Sequence, residues 1–105
     1  MEQLLNWKNR QIRFTRERRR HIKENYPEMR EQFIKIKETL KKPDIVKKSK
    51  TDDEVLLAYK HYPKTPVTEK YMCLVIKNDS DDSFVVTAYF TDSIKKGELI
   101  WKKKM

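Results

Sequence analysis

Apolar and polar residues alternate over much of the second half of the chain, and this pattern predicts β-strands. Successive side chains of a strand point to opposite faces of its sheet, so every second residue reaches the core. The stretch KYMCLVIK is apolar on both faces, which predicts a central strand. Two shorter stretches predict an edge strand rich in lysine and a strand near the N-terminus. The five predicted strands are 10–14, 44–49, 54–62, 70–77 and 83–91.

A helical pattern precedes the long strands. Thr15 is a suitable N-cap for the helix formers of RERRRHIKENY, and Pro27 suits the first position of a second helix. Pro43 then ends this second helix. Its apolar residues are spaced by four, three and four positions, which predicts one stripe packed on the core. The stripe consists of Met29, Phe33, Ile36 and Leu40.

The order of these elements predicts an α+β domain. We expect N-terminal helices packed on one face of a four-stranded, mainly antiparallel sheet, with the other face open and partly polar. A single domain would consist of an extension or short strand (1–14), two helices (15–42), the sheet (44–91) and a C-terminal tail (92–105).

The last long strand has two chemically different faces. Strand alternation predicts that one face packs on the core and that the other carries hydroxyl groups. The expected core face is Phe84, Val86, Ala88 and Phe90. The expected polar face is Val85, Thr87, Tyr89 and Thr91.

Positive charge is concentrated in the first half of the chain. The net charge is +9, and residues 1–50 carry 16 Lys/Arg against 7 Asp/Glu, whereas residues 51–105 carry nine of each. A one-sided positive field attracts polyanions and accelerates their encounter. The charge distribution therefore predicts a polyanion site near the N-terminal helices.

Several functional classes are disfavoured by composition. The single cysteine cannot form an internal disulfide, and with two histidines it is too little for a structural zinc site. One glycine is too few for a phosphate-binding loop of the Walker or Rossmann kind. No apolar stretch has the length of a membrane span or a secretory leader. We expect a cytoplasmic protein without metal or cofactor.

A family resemblance rests on five segments in a fixed order. They are RRRHIKENYPEM, IKETLKKPDIV, LLAYKHY, YMCLVIKN and SFVVTAYFTDSIKKGELIW, which lie within residues 15–101. Together they resemble the phage-borne branch of the BECR nuclease superfamily, which links barnase, EndoU, colicin D and RelE. The resemblance implies a RelE/barnase-like fold and a metal-independent endoribonuclease, either a toxin or effector or a phage-encoded enzyme.

Such an enzyme needs groups that move protons and hold phosphate, because the 2′-hydroxyl of RNA itself attacks the neighbouring phosphate. Histidine exchanges protons near neutral pH, which makes His21 the leading acid–base candidate. Arg18 and Asn25 lie three positions before it and four after it, on the same helical face. The predicted catalytic residues are His21, Lys60, Thr87 and Tyr89. The predicted substrate-binding residues are Arg18, Arg19, Asn25, Tyr59, His61 and Thr91.

Two alternatives remain open at this stage. The chain has Tyr26 where the resembled family often has a second histidine, which favours a non-catalytic RNA-binding module on the same fold. The basic helix would also suit a phage component that meets an acidic protein partner. RNA is the expected partner, an active toxin would need an inhibitor or antitoxin protein, and the sequence leaves open a monomer or a dimer.

Overall fold

Residues 2–79 and 82–104, which the computed structural model describes, form one seven-stranded sheet, two α-helices and a 3-10 turn. The helices are α1 (Arg16–Asn25) and α2 (Phe33–Lys41), and the turn covers Pro27–Met29. The strands are β1 (Glu2–Leu5), β2 (Gln11–Phe14), β3 (Ile45–Lys48), β4 (Val55–Tyr62), β5 (Lys70–Asn78), β6 (Ser83–Thr91) and β7 (Glu98–Lys102).

The predicted four-stranded sheet is wrong, although the α+β class is correct. The strand order is β1-β2-β6-β5-β4-β3-β7, and β2 runs parallel to β6 while the other neighbours are antiparallel. The segment 1–14 contributes the hairpin of β1 and β2. The segment expected as a C-terminal tail contributes β7, which pairs with β3. Strand β3 is therefore an interior strand and not an edge.

The two helices begin and end for local reasons. Thr15 caps α1, since its Oγ1 accepts a hydrogen bond from the Arg18 backbone N–H at 3.1 Å. The second helix begins later than predicted, because Pro27 starts a 3-10 turn and Glu31 has a φ of 62°. The apolar stripe is confirmed nonetheless. Its members Met29, Ile36 and Leu40 are buried, and Phe33 packs against them half-buried.

The main core lies between the helices and one face of the sheet, here called the helix face. Phe14 of β2 is 1% exposed and stacks on Phe33 of α2 with 6.1 Å between ring centroids. This contact joins an outer part of the sheet to the helices. The other fully buried members come mainly from the central strands and include Leu40, Val46, Ala58, Met72, Leu74, Val85 and Ala88.

Strand β6 contains a β-bulge, which changes the face of the sheet on which some of its residues lie. Val75 of β5 lies opposite Thr87, but the next residue, Ile76, lies opposite Val85, so Val86 is an extra residue. Val85 is consequently fully buried on the helix face together with Ala88. The prediction that Val86 would occupy this core face and Val85 the polar one is wrong, because simple alternation ignores the bulge.

The opposite face of the sheet is partly covered. Residues 92–97, here called the strap, connect β6 to β7 on the far side of β3. Ile94 of the strap packs on a second apolar cluster that includes Tyr59 and Cys73. The Lys95 backbone N–H donates a hydrogen bond to the Tyr59 hydroxyl at 3.1 Å. The predicted open second face is therefore wrong where the strap crosses the sheet, because Tyr59 and Cys73 are both fully buried there.

Gly97 lets the strap approach the sheet closely. A Cβ atom at this position would lie far inside van der Waals contact with the backbone carbonyl oxygen of Lys48.

We expect Gly97→Ala to lower the free energy of unfolding by at least about 2 kcal/mol, because the backbone must move to admit the methyl group. Urea denaturation measures the change. Ser93→Ala, at an exposed position of the same strap, should stay within about 0.5 kcal/mol of the original protein. Equal effects of the two substitutions would show that the close approach is unimportant.

Candidate nucleic-acid interface

The helical segment carries cations that the protein itself largely leaves without carboxylate partners. Residues 16–42 contain ten Lys/Arg and five Asp/Glu. Within the described part of the chain, Arg20 is the one of these ten that forms an ion pair, with Glu24 at 3.8 Å. Lysines of the sheet region are more often neutralised, as the ion pairs of Lys48, Lys70, Lys77 and Lys103 show. Among the described residues, the cations of the helical segment are therefore paired with carboxylates less often than the lysines of the sheet region.

Two of these cations flank an aromatic ring where α1 and α2 meet. The guanidinium carbon of Arg19 lies 4.0 Å from the Phe33 ring centroid, and Lys37 Nζ lies 5.8 Å from the same centroid. The ring is half-buried. Aromatic rings beside Arg and Lys are the usual elements of single-stranded nucleic-acid sites, since bases stack on the ring and phosphates meet the cations.

A basic groove continues from this point along α2. Its volume is about 430 Å³, and it is lined by Lys37, Glu38, Lys41, Lys42 and Lys60. The carboxylate of Glu38 accepts a hydrogen bond from the Tyr62 hydroxyl at 2.9 Å. Lys60 Nζ donates to the Lys42 carbonyl oxygen at 3.3 Å, which holds β4 against the end of α2. Four lysines against one carboxylate make the basic groove attractive to phosphate.

His21 lies on a different flank of α1. Its side chain is 48% exposed, and Nε2 lies 3.7 Å from Oε1 of Glu17 one turn earlier. Arg18 and Asn25 are exposed and share this flank by helical spacing. Arg19 does not, because it projects about 160° away from His21 around the helix axis. Arg18 and Arg19 therefore lie on different sides of α1, and their shared role in holding phosphate stays a prediction.

A row of tyrosines connects the end of α1 to the second face of the sheet. Tyr59, Cys73 and Tyr89 lie opposite one another on β4, β5 and β6. The ring of Tyr26, which ends α1, lies 5.6 Å from the ring of Tyr89. Burial raises the pKa of Tyr59 to about 12 despite the Lys95 N–H beside it, and burial also raises the pKa of Tyr89. Both phenols therefore stay protonated at neutral pH and can donate but not accept a proton.

Tyr59 cannot contact a substrate as predicted, because the strap and the neighbouring strands bury it completely. Tyr89 remains half-buried and thus partly accessible. Strand alternation correctly placed Tyr89 on the face of β6 that is opposite the main core. It could not show that the chain returns across that face after β6.

His61 belongs to a separate cluster at the end of β4. Its Nε2 lies 2.6 Å from Glu69 Oε2, and its ring meets Tyr71 edge-on with 5.4 Å between centroids. Its backbone N–H donates to Asp44 Oδ2 at 2.8 Å. Burial alone would raise the pKa of Asp44, but this N–H and the cations of Lys103 and Lys60 hold it below its usual value. His61 is therefore tied into structural contacts on both its backbone and its ring.

The predicted site residues divide into three groups. Arg18, His21 and Asn25 lie on one flank of α1. Thr87, Tyr89, Thr91 and His61 lie on the second face of the sheet. Lys60 lines the basic groove, and Arg19 lies over the Phe33 ring outside the lining of that groove. Among the described residues, no hydrogen bond, ion pair or ring contact joins His21 to Thr87, Tyr89 or Lys60. A common groove between His21 and β6 stays a prediction.

Sequence reasoning missed Phe33, Lys37, Lys41 and Lys42 as surface residues of the candidate interface. Phe33 was assigned wholly to the apolar stripe. The available signal was the four-residue spacing of Phe33, Lys37 and Lys41, which places a ring and two cations along one side of α2.

Two other kinds of site are absent from the part of the chain that the structure describes. Within residues 2–79 and 82–104, no three His, Cys, Asp or Glu side chains are arranged to hold a metal ion. In the same residues, neither helix has the length and apolar character needed to cross a membrane. No family model matches the chain, and no curated protein or solved structure matches it. The resemblance to the BECR nucleases therefore stays a prediction.

Proposed function

We propose that this protein binds RNA through the surface of its two helices. The observation that supports the proposal is the arrangement of Arg19 and Lys37 around Phe33, continued by the lysines of the basic groove. Cations that lack internal carboxylate partners are available to phosphate. The guanidinium of Arg19, which lies over the half-buried Phe33 ring, offers a base a stacking surface.

Binding of this kind is dominated by phosphate contacts. Each phosphate that a lysine or arginine neutralises releases bound counterions, so affinity falls as salt rises. The lysines of α2 lie one turn apart and can follow a phosphodiester chain along the basic groove. The ring of Phe33 at one end of the groove then fixes where a base can stack.

We expect the double substitution Lys37→Ala/Lys42→Ala to weaken the binding of single-stranded RNA by about tenfold at low salt. Both side chains are exposed and line the basic groove, so the fold should be unaffected. Fluorescence anisotropy at several salt concentrations measures the affinity. The slope of log affinity against log salt should fall by about 1.4, because each lost contact with a single strand contributes about 0.7.

A matched control removes two positive charges elsewhere. Lys102 and Lys104 are exposed residues near the C-terminal end, outside the basic groove. Lys102→Ala/Lys104→Ala should weaken RNA binding by less than about twofold if the contact is local. Equal losses in the two double variants would indicate binding by net charge alone and would contradict the proposed interface.

RNA cleavage is a second candidate function, and one observation favours it. His21 has an exposed imidazole with a carboxylate at 3.7 Å and with Arg18 on the same flank. In the proposed reaction the 2′-oxygen loses its proton and forms a bond to phosphorus, while the bond from phosphorus to the 5′-oxygen breaks and that oxygen gains a proton. His21 carries out one of these two proton transfers and water the other. Arg18 would hold the phosphate. This chemistry agrees with the resemblance to the BECR nucleases, and such an enzyme would need an inhibitor protein in its host.

Incubation of end-labelled RNA with the protein in EDTA tests this second candidate. We expect fragments with a 2′,3′-cyclic phosphate and a 5′-hydroxyl, because the attacking group belongs to the RNA. The same sequence made of DNA lacks the 2′-hydroxyl and should stay intact. RNA that remains uncut across several sequences and pH values would leave the protein as an RNA-binding module without cleavage activity.

A further inference from the structure

A small cavity opens between α1, the 3-10 turn and α2. Its volume is about 130 Å³. Four of the residues around it are no more than 4% exposed, and the half-buried ring of Phe33 forms a further wall. These apolar walls are Phe14, Ile22, Met29, Phe33 and Ile36. The cavity is open to solvent at one side, and its apolar walls can take a small apolar group from a ligand.

The edge of the cavity is charged. Arg19 and Lys23 of α1 line it, together with Glu31. The guanidinium carbon of Arg19 lies 4.0 Å from the Phe33 ring centroid, at the border between the cavity and the basic surface. A ligand with a flat apolar part and a nearby anionic part matches this combination of walls and edge.

The size of the cavity limits the flat part. An engineered protein cavity of about 150 Å³ with apolar walls holds one benzene molecule. A single six-membered ring is therefore the right size for the present cavity, and two fused rings exceed it. A pyrimidine base has one such ring, and a purine has two.

We infer that this cavity receives the base of one unstacked pyrimidine nucleotide of single-stranded RNA, while Arg19 and Lys23 hold the adjoining phosphates. The inference rests on the proposed RNA binding and adds to it a preference for pyrimidine over purine bases. Phe33 and the guanidinium of Arg19 provide the stacking surfaces that bases use in single-stranded complexes. Paired RNA is excluded, because its bases are stacked and cannot enter.

Binding of ten-nucleotide oligo(U), oligo(C) and oligo(A) tests the inference. We expect oligo(U) and oligo(C) to bind at least about fivefold more tightly than oligo(A), which is the lower range for one stacked base. Methyl NMR gives a direct readout. The methyl signals of Met29 and Ile36 should shift when oligo(U) is added, whereas those of Ile94, which packs on the opposite face of the sheet, should not.

Filling the cavity should remove the preference. We expect Ile36→Phe to bind the three oligonucleotides with similar, still salt-dependent affinity. The same change at Ile34, which is 72% exposed on the same helix, should keep the preference. Phe33→Leu removes a stacking ring without enlarging any side chain, and it serves as the second variant if Ile36→Phe fails to fold.

The outcomes separate this inference from the proposed function. Three results would overturn the pyrimidine cavity and leave RNA binding intact. The first is equal affinity for the three oligonucleotides, and the second is unshifted methyl signals of Met29 and Ile36. The third is a pyrimidine preference that survives in both Ile36→Phe and Phe33→Leu. Absence of binding to any oligonucleotide at low salt would overturn both.

Discussion

His21→Ala is expected to slow RNA cleavage by about 10²- to 10⁴-fold, the usual effect of removing a general acid or base. In the proposed reaction the exposed imidazole of His21 transfers the proton, and Arg18 on the same flank of α1 keeps the phosphate in place. Affinity for RNA with a 2′-deoxy nucleotide at the cut should change by less than about twofold, because the phosphate contacts remain. Cleavage of end-labelled RNA in EDTA and anisotropy with the uncleavable RNA provide the two measurements.

The control for this prediction lies on the same helix. Glu24 is exposed and pairs with Arg20, whereas the carboxylate beside His21 is that of Glu17, so Glu24→Gln should cleave RNA at close to the original rate. His21→Gln keeps a polar side chain of similar size but cannot transfer protons, and it should be as inactive as His21→Ala. Cleavage at the original rate in either His21 variant would rule out this histidine as the acid–base group.

The long strands were predictable because each carries its own pattern. The sequence segments 54–62, 70–77 and 83–91 correspond within one residue at each end to Val55–Tyr62, Lys70–Asn78 and Ser83–Thr91. Eight or nine residues of alternating or wholly apolar character are enough to specify a strand. The Thr15 cap and the stripe on α2 were predictable for the same reason, since both depend on residues close together in sequence.

The outer strands were not predictable, because they are stabilised by their neighbours. The strands β1 and β7 have four and five residues, and most of β7 is exposed or half-buried. The pairing of β7 with β3 joins segments far apart in sequence, and the hairpin of β1 and β2 joins the sheet only through the distant strand β6. The bulge of β6 and the passage of the strap over Tyr59 are also long-range features. Because of the bulge, Val85 lies on the helix face and not on the predicted polar face. Because of the strap, part of the face that was predicted to be open is covered.

The candidate interface was partly predictable in the same sense. The excess of positive charge in the first half and the shared flank of Arg18, His21 and Asn25 follow from composition and helical spacing. The meeting of Arg19 with Phe33 does not, because it joins side chains of two helices that are separated by the 3-10 turn at Pro27–Met29. The sequence pattern had assigned that turn to the second helix.

Phe14→Ala is expected to lower the free energy of unfolding by about 3–5 kcal/mol, the usual range for a buried phenylalanine. Phe14 is 1% exposed, stacks on Phe33 and also forms one wall of the cavity, so its loss removes packing between the sheet and both helices. Urea denaturation at a constant m-value measures the change.

Phe84 provides the matched control for this last prediction. It lies opposite Arg13 on the neighbouring strand β6, is only half-buried, and has the Arg13 guanidinium carbon 5.5 Å from its ring centroid. Phe84→Ala removes the same atoms from a position with more solvent around it, so its cost should be less than half that of Phe14→Ala. Similar costs would mean that Phe14, which packs between β2 and the helices, contributes no more to stability than the half-buried Phe84. The close packing argued for the walls of the cavity would then be wrong, since a wall that can be removed cheaply does not define the shape of what it encloses.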